Sequence, residues 1–240
     1  MSKKALLDIL KEEKEMQYSG GIYHKTQIDF TYHSNRIEGC HLTHDQIRYM
    51  YETNYISACD EVLNVDDIVE TANHFRCIDE VINHGEDTLS EELIKKLHGM
   101  LKGSSSDSRL KGFAVGEYKR MPNEVDGMQM VLPEEVPSKM QELVFEYNQK
   151  EAKTLEDILD FHVRFERIHP FQDGNGRVGR LIMFKECLKY GIVPFVIEDK
   201  MKMEYYRGLK EWDENRGQLI NIVLAAQEKY KGELEYFGIS

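Results

Sequence analysis

Apolar residues recur at intervals of three and four along nearly the whole chain, and that period commits the fold to packed helices. Val65, Ile68, Val69, Ala72, Phe75, Val81 and Ile82 form one such stripe; Leu219, Ile220, Val223, Leu224 and Tyr230 form another near the end. Start signals agree with the period. Thr43-His44-Asp45-Gln46 reads as a capping box, Ser90 stands before Glu91 and Glu92, and Thr154 stands before Leu155–Asp157. Each offers a side-chain oxygen to the free N–H groups of a first turn. Gly39, Gly85 and Gly191 each follow a periodic run and mark stops. Of only five prolines, Pro122, Pro133 and Pro137 fall in one stretch, roughly Gly112 to Pro137, where the period lapses. Asp126-Gly127 within it reads as a hairpin turn or as part of an irregular loop. Lys102–Arg109, KGSSSDSR, reads as a flexible connector. The signals together predict a mainly α chain of about ten helices with one small β-hairpin flap.

Composition narrows the function classes. Lys+Arg 31 against Asp+Glu 43 leaves a formal charge of −12, which argues against a nucleic-acid partner, whose phosphates need a basic face. The longest apolar stretch, Ile192–Ile197, falls far short of the ~18 residues of a membrane span. The start, MSKKALLDILKEEKE, turns charged where a signal peptide stays apolar. Cys40, Cys59, Cys77 and Cys187 show no CxxC spacing and make no disulfide scaffold. The expectation is a soluble cytoplasmic protein with reduced thiols, bound to neither membrane nor nucleic acid, its oligomeric state open to a homo-oligomer. His33, His41 and His44 lack the Cys or carboxylate spacing that would complete a tetrahedral metal site and read as surface or capping residues.

One segment stands apart: His169-Pro170-Phe171-Gln172-Asp173-Gly174-Asn175-Gly176-Arg177-Val178-Gly179-Arg180. Helical patterns flank it, Leu155–Ile168 before and Leu181–Tyr190 after, so it is a tight loop opening into a helix start. Pro170 disfavours helical geometry at His169, and the first helix should end there. Gly174 and Gly176 let a ligand approach the main chain. Free N–H groups at the helix start form an anion site, and Arg177 and Arg180, at i and i+3, place two guanidinium groups one turn in. Two such groups suit a polyphosphate. Asp173 beside an anion makes sense as a Mg²⁺ ligand, and His169 has the pKa class to take a proton from a hydroxyl. Singly, each element reads as well as a turn or a cap; together they assemble phosphoryl or nucleotidyl transfer without a covalent intermediate.

The segment resembles the Fic-domain (Fido) signature HPFx(D/E)GNGRxxR and matches it at all nine specified positions. The likeness extends from about Thr26 to Tyr230. It implies a Fic/Fido helical fold with a β-hairpin flap and protein AMPylation: AMP passes from ATP to a Ser, Thr or Tyr hydroxyl of an unknown target or of the protein itself, releasing pyrophosphate. By the same likeness His169 is the general base and Asp173 the Mg²⁺ ligand, with Mn²⁺ as a substitute. Gly174, Asn175 and Gly176 form the phosphate nest, Arg177 and Arg180 hold the outer phosphates, and Phe171 is a buried anchor. An intact Gly176 favours AMP transfer over the phosphate transfer of the Doc branch, which carries lysine there.

Ser34-Asn35-Arg36-Ile37-Glu38-Gly39 is a second notable element. Ser34 and Glu38 share a helix face, and Glu38 sits at a helix end where the dipole disfavours an anion. That spacing fits either a tolerated surface glutamate or an acid awaiting a cation. The hexapeptide resembles the family's inhibitory motif, (S/T)xxxE(G/N), placed N-terminally as in class II members. The resemblance implies that Ser34, Glu38 and Gly39 form an inhibitory element in which Glu38 pairs with Arg180 in the place of the ATP γ-phosphate. It divides the chain into an N-terminal helical region, 1–60, and a catalytic core, 61–240, with the flap at 112–133 and the motif at 169–180. Tyr118, Lys119 and Val125 fall where relatives contact the target, although Lys119 departs from the arginine that often follows that tyrosine. Tyr205 and Tyr206 fall near the family's adenine pocket or in ordinary core. Rival readings are a deAMPylating phosphodiesterase using the same site and a non-catalytic nucleotide-sensing regulator.

Overall fold

The computed structural model describes residues 5–57, 62–125 and 127–239; Cys59 and Asp126 lie outside them. Ten α-helices are found among the described residues: α1 (Leu6–Glu15), α2 (Ile22–Ile37), α3 (His44–Thr53), α4 (Val65–Asn83), α5 (Glu91–Lys102), α6 (Val136–Gln149), α7 (Leu155–Ile168), α8 (Asn175–Lys189), α9 (Lys202–Lys210) and α10 (Arg216–Tyr236). The caps read from sequence are formed. Thr43 and Thr154 each complete a capping box with Gln46 and Asp157, and Ser90 accepts from Leu93 N.

Helix α8 is the axis of the fold. Its residues from Arg177 to Leu188 are all buried, as a helix surrounded on every side requires. It packs on α7, α4, α5, α2 and α1. The main core joins Leu10, Ile22 and Phe30 of the N-terminal helices to Phe165, Val178 and Phe184, so α1 and α2 share a core with the helices that follow. A second cluster under α9 and α10 holds Ile158, Met183, Phe195, Tyr205, Trp212 and Val223. Among the described residues no helix is long and apolar enough to cross a membrane, and Cys40, Cys77 and Cys187 are buried free thiols.

The structure corrects several sequence expectations. The first half of α4 turns Glu70, Thr71, Asn73 and His74 inward while Val65 and Ala72 are exposed, so the apolar stripe there is not the buried face. The supposed connector Lys102–Arg109 is built in: Lys102 and Ser105 are buried, Ser106 N donates to Asp66, and a 3₁₀ turn closes Asp107–Arg109. The hairpin is minimal. Strands β1 (Glu124–Val125) and β2 (Met128–Gln129) pair antiparallel through Glu124–Gln129 and Val125–Met128, with Gly127 in the turn at φ +77°.

Candidate active site

Helix α7 stops where Pro170 dictates. His169 takes φ +52° and ψ 62°, a left-handed cap, and its N–H closes on Phe165 O at 2.9 Å. The chain then drives Phe171, fully buried, against the ring of His98 with centroids 4.0 Å apart. Asn175 holds this turn shut: its Oδ1 accepts from Phe171 N at 2.8 Å and its Nδ2 donates to Phe171 O at 2.9 Å. The Asn175 side chain therefore braces the loop, and only its main chain remains for a phosphate nest. Gly174 precedes α8 at φ +81°. The first-turn N–H groups of α8, with no carbonyl one turn back to accept from them, face outward at the positive end of the dipole.

The two arginines diverge. Arg177 donates from Nη1 to Glu70 and from Nη2 to Asp173 Oδ2 at 3.4 Å. Lys102 Nζ also contacts Glu70 and lies 2.7 Å from Asp173 and 3.0 Å from Asp107. Burial acts to raise the Asp173 pKa, but Arg177 and Lys102 outweigh it and hold the carboxyl at about 2. Asp173 is thus a permanent carboxylate, and its side chain is 50% exposed. Ligand oxygens of Glu70, Asp107 and Asp173 lie within 4.8 Å of one another. Such a hard-oxygen set suits Mg²⁺, which is content with one or two carboxylates plus phosphate oxygens and water. Asp173 is its solvent-facing member, whereas Glu70 is buried against Lys102 and Arg177.

Arg180 turns the other way, to α2. Its Nε donates to Ser34 Oγ at 3.0 Å, and its Nη2 donates to Ser34 O at 2.9 Å and to Glu38 Oε1 at 2.7 Å. A methyl group on Gly176 would meet Glu38 Oε1 at 2.2 Å and Arg180 Nη1 at 3.0 Å. A carboxylate oxygen therefore rests on the first turn of α8, and Arg180 Nη1 is buried beside it without a partner. Behind lie Glu166, pushed up to about 8 by burial and then by the Glu38 charge, and His162, pushed down to about 3 by burial and then by Arg180. Gly179 permits this packing, since a Cβ there would sit 2.6–2.8 Å from His162 and Glu166 atoms.

The expected flap contacts are mostly turned inward. Tyr118 is buried and its hydroxyl donates to Glu91 Oε2 at 2.6 Å, while Lys119 is 3% exposed and its N–H donates to Pro170 O at 2.8 Å. Neither presents its side chain to a target; Val125, on β1, is exposed. Tyr205 is likewise a core residue, fully buried with its hydroxyl against His162 Nε2, and not a pocket wall. Tyr206 is partly buried at the edge of the same cluster. His33, His41 and His44 each meet a single carboxylate, Asp199, Asp67 and Asp29.

Sequence reasoning missed Glu70, Lys102, His98 and Asn123. The one available signal was a charged residue placed inside a helical period, as Glu70 is between Val69 and Cys77, and Lys102 at the end of the Leu93, Leu97, Leu101 stripe.

A histidine-capped helix, a glycine turn and a central buried helix whose start already receives a carboxylate define a Fic-type fold and loop. Residues 88–187, which hold this loop and most of α8, match the Fic/DOC family. It is 29% identical over 133 residues to a probable protein adenylyltransferase of Aquifex aeolicus, a match covering 54% of this chain and 38% of that one. It is 31% identical over 98 residues to the protein adenylyltransferase Fic of Drosophila grimshawi, covering 40% and 20%. The matches thus span well under half the length of these curated relatives. Among solved structures, a Fic-domain-containing signaling protein from Bacteroides thetaiotaomicron superposes with TM-score 0.76 at 24% identity, over 95% of this chain and 94% of that one. Fic-1 from C. elegans gives 0.72 at 17% identity, over 97% and 72%. These likenesses carry the fold.

Proposed function

We propose that this chain is an autoinhibited protein adenylyltransferase of the class II arrangement. It transfers AMP from ATP to a Ser, Thr or Tyr hydroxyl of a target protein, or of itself, in the cytoplasm. His169 takes the hydroxyl proton as the oxygen attacks the α-phosphorus; the bond to the β-phosphate oxygen breaks and pyrophosphate leaves. Burial and then the Lys119 charge lower the His169 pKa, which keeps the imidazole unprotonated and able to accept that proton at neutral pH. The N–H groups opening α8 bind phosphate oxygens, and Arg177 and Arg180 meet the outer phosphates. Asp173 would hold Mg²⁺, which when bound offsets phosphate charge and orients the leaving group. Residues 1–60 carry the latch and 61–240 the catalytic core.

The observation that carries this reading is the Glu38 carboxylate on Arg180, laid against Gly176 at the start of α8. An intramolecular anion held there supports both an anion seat and a competitor for it. The test is incorporation of α-labelled ATP. Glu38→Gly should label far more strongly than wild type and Glu38→Gly/His169→Ala not at all; equal labelling of folded wild type and Glu38→Gly would count against the latch.

A further inference from the structure

We infer that Lys119 and Asn123, in the stem of the flap, are positioning residues for His169. The inference rests on the reading of His169 as the base, and it concerns what holds that base in place. His169 is one of four non-glycine residues at positive φ among the described residues, a conformation that persists only where its surroundings impose it. The carbonyls on both sides of it are held from the flap stem. Lys119 N donates to Pro170 O at 2.8 Å, Lys119 Nζ reaches Ile168 O at 3.5 Å, and Asn123 Nδ2 donates to Phe171 O at 3.1 Å. Lys119 Nζ also donates to Asn123 Oδ1 at 2.6 Å, tying the two clamps together. Residues 168, 170 and 171 are thereby fixed by one short segment that runs directly into β1.

The charge of Lys119 is the second part of the argument. Of the other buried cations, Lys102, Arg177, Arg180 and Lys185 each meet a carboxylate, while Lys153 donates to the main-chain carbonyl of Lys150. Among the described residues the Lys119 ammonium, equally buried, meets the amide oxygen of Asn123 and the main-chain carbonyl of Ile168 and no carboxylate. Burial alone pushes it down to about 8, so it is still mostly charged at neutral pH. Burying a cation without a counter-ion is costly, and a neutral side chain could pack there. What the charge accomplishes is at His169. Glu38 just after α2, Asp173 in the loop and the Glu166 carbonyl of α7 all favour the protonated imidazole; burial first, and then Lys119, oppose them. The same residue therefore holds the backbone of the base and adds its charge to burial, the larger effect, in keeping the imidazole neutral. Because β1 continues from this segment, a target that engages the flap would act on the clamp.

The test is an NMR titration of the His169 ring in the full chain, with kinetics in the Glu38→Gly background. Lys119→Met should raise the His169 midpoint by about one pH unit, the size of effect a neighbouring charge exerts. It should also lower kcat about tenfold at neutral pH with KM for ATP within about twofold, as loss of orientation and basicity requires. Lys119→Arg should restore the midpoint, and Asn123→Ala, which keeps the charge but frees the loop, should lower kcat with little change in midpoint. An unmoved midpoint in folded Lys119→Met overturns the inference. If that variant does not fold, Lys119→Gln carries the same comparison. Failure of Glu38→Gly to incorporate AMP would overturn the transfer reading instead, and the NMR comparison would still decide the role of Lys119.

Discussion

Glu38 and Gly176 are in contact through the absence of a side chain: a methyl group added at Gly176 would lie 2.2 Å from Glu38 Oε1. The glycine leaves the start of α8 open to an oxygen anion, and in this structure the anion is the chain's own. Removing the carboxylate should therefore expose the site. ATP should bind Glu38→Gly at least about tenfold more tightly than wild type by calorimetry, the value of one charge-assisted contact of roughly 1.4 kcal/mol or more. Equal affinities would mean that Glu38 does not compete with nucleotide.

Gly176→Ala makes the converse prediction. Alanine normally favours a helix over glycine by about 1 kcal/mol, so the fold should hold. The new methyl fills the space both the carboxylate and a phosphate oxygen require, so Glu38→Gly/Gly176→Ala should bind ATP at least about tenfold more weakly than Glu38→Gly. Unchanged binding by calorimetry would place the phosphates elsewhere.

Ser34 steadies the latch through its hydroxyl, 3.0 Å from Arg180 Nε. Ser34→Ala removes one hydrogen bond worth about 1 kcal/mol, and label incorporation should rise about fivefold, well short of the gain from Glu38→Gly. Incorporation no higher than wild type would show that Glu38 alone sets the latch.

Lys102 is 2% exposed and touches Glu70, Asp107 and Asp173. Lys102→Met leaves those carboxylates short of a cation, at a cost of about 3–5 kcal/mol and on the order of 10 °C in Tm. Mg²⁺ should recover part of that loss and raise the Tm of the variant more than that of wild type. Identical Mg²⁺ responses in thermal unfolding would separate this cluster from metal binding.

Glu166, ordinarily titrating near 4.5, is pushed up to about 8 by burial and by Glu38. Between those values the folded chain keeps a proton that the unfolded chain has lost, so this group's contribution to stability falls as pH rises from 4.5 to 8. Glu166→Gln mimics the protonated acid and does not titrate. Its Tm should fall less than that of wild type between pH 5 and pH 8, and parallel curves would sink the assignment.

Much of this was legible in the sequence where the physics is local. Thr43 and Thr154 announce their caps because the partner lies three residues on, and Pro170 ends α7 at its own neighbour. The Glu38–Arg180 pair joins residues 142 apart and was reachable only through a resemblance that named both ends. Glu70 with Lys102 and Asn123 with Phe171, separated by 32 and 48 residues, had no such guide. Tyr118 and Lys119 were placed at the target by resemblance alone, and the segment from Gly112 carries no period that would have shown them turned inward. The first half of α4 misled for a related reason: it buries polar residues to serve the site, against the apolar rule that reading a helix depends on.

The most direct measurement is the intact mass of Glu38→Gly after incubation with ATP and Mg²⁺, beside wild type and Glu38→Gly/His169→Ala. A single AMP adduct on the first, little on the second and none on the third is the expected result. An unmodified Glu38→Gly protein that binds ATP, supplied also with candidate acceptor proteins and leaving them unmodified, would contradict the central claim.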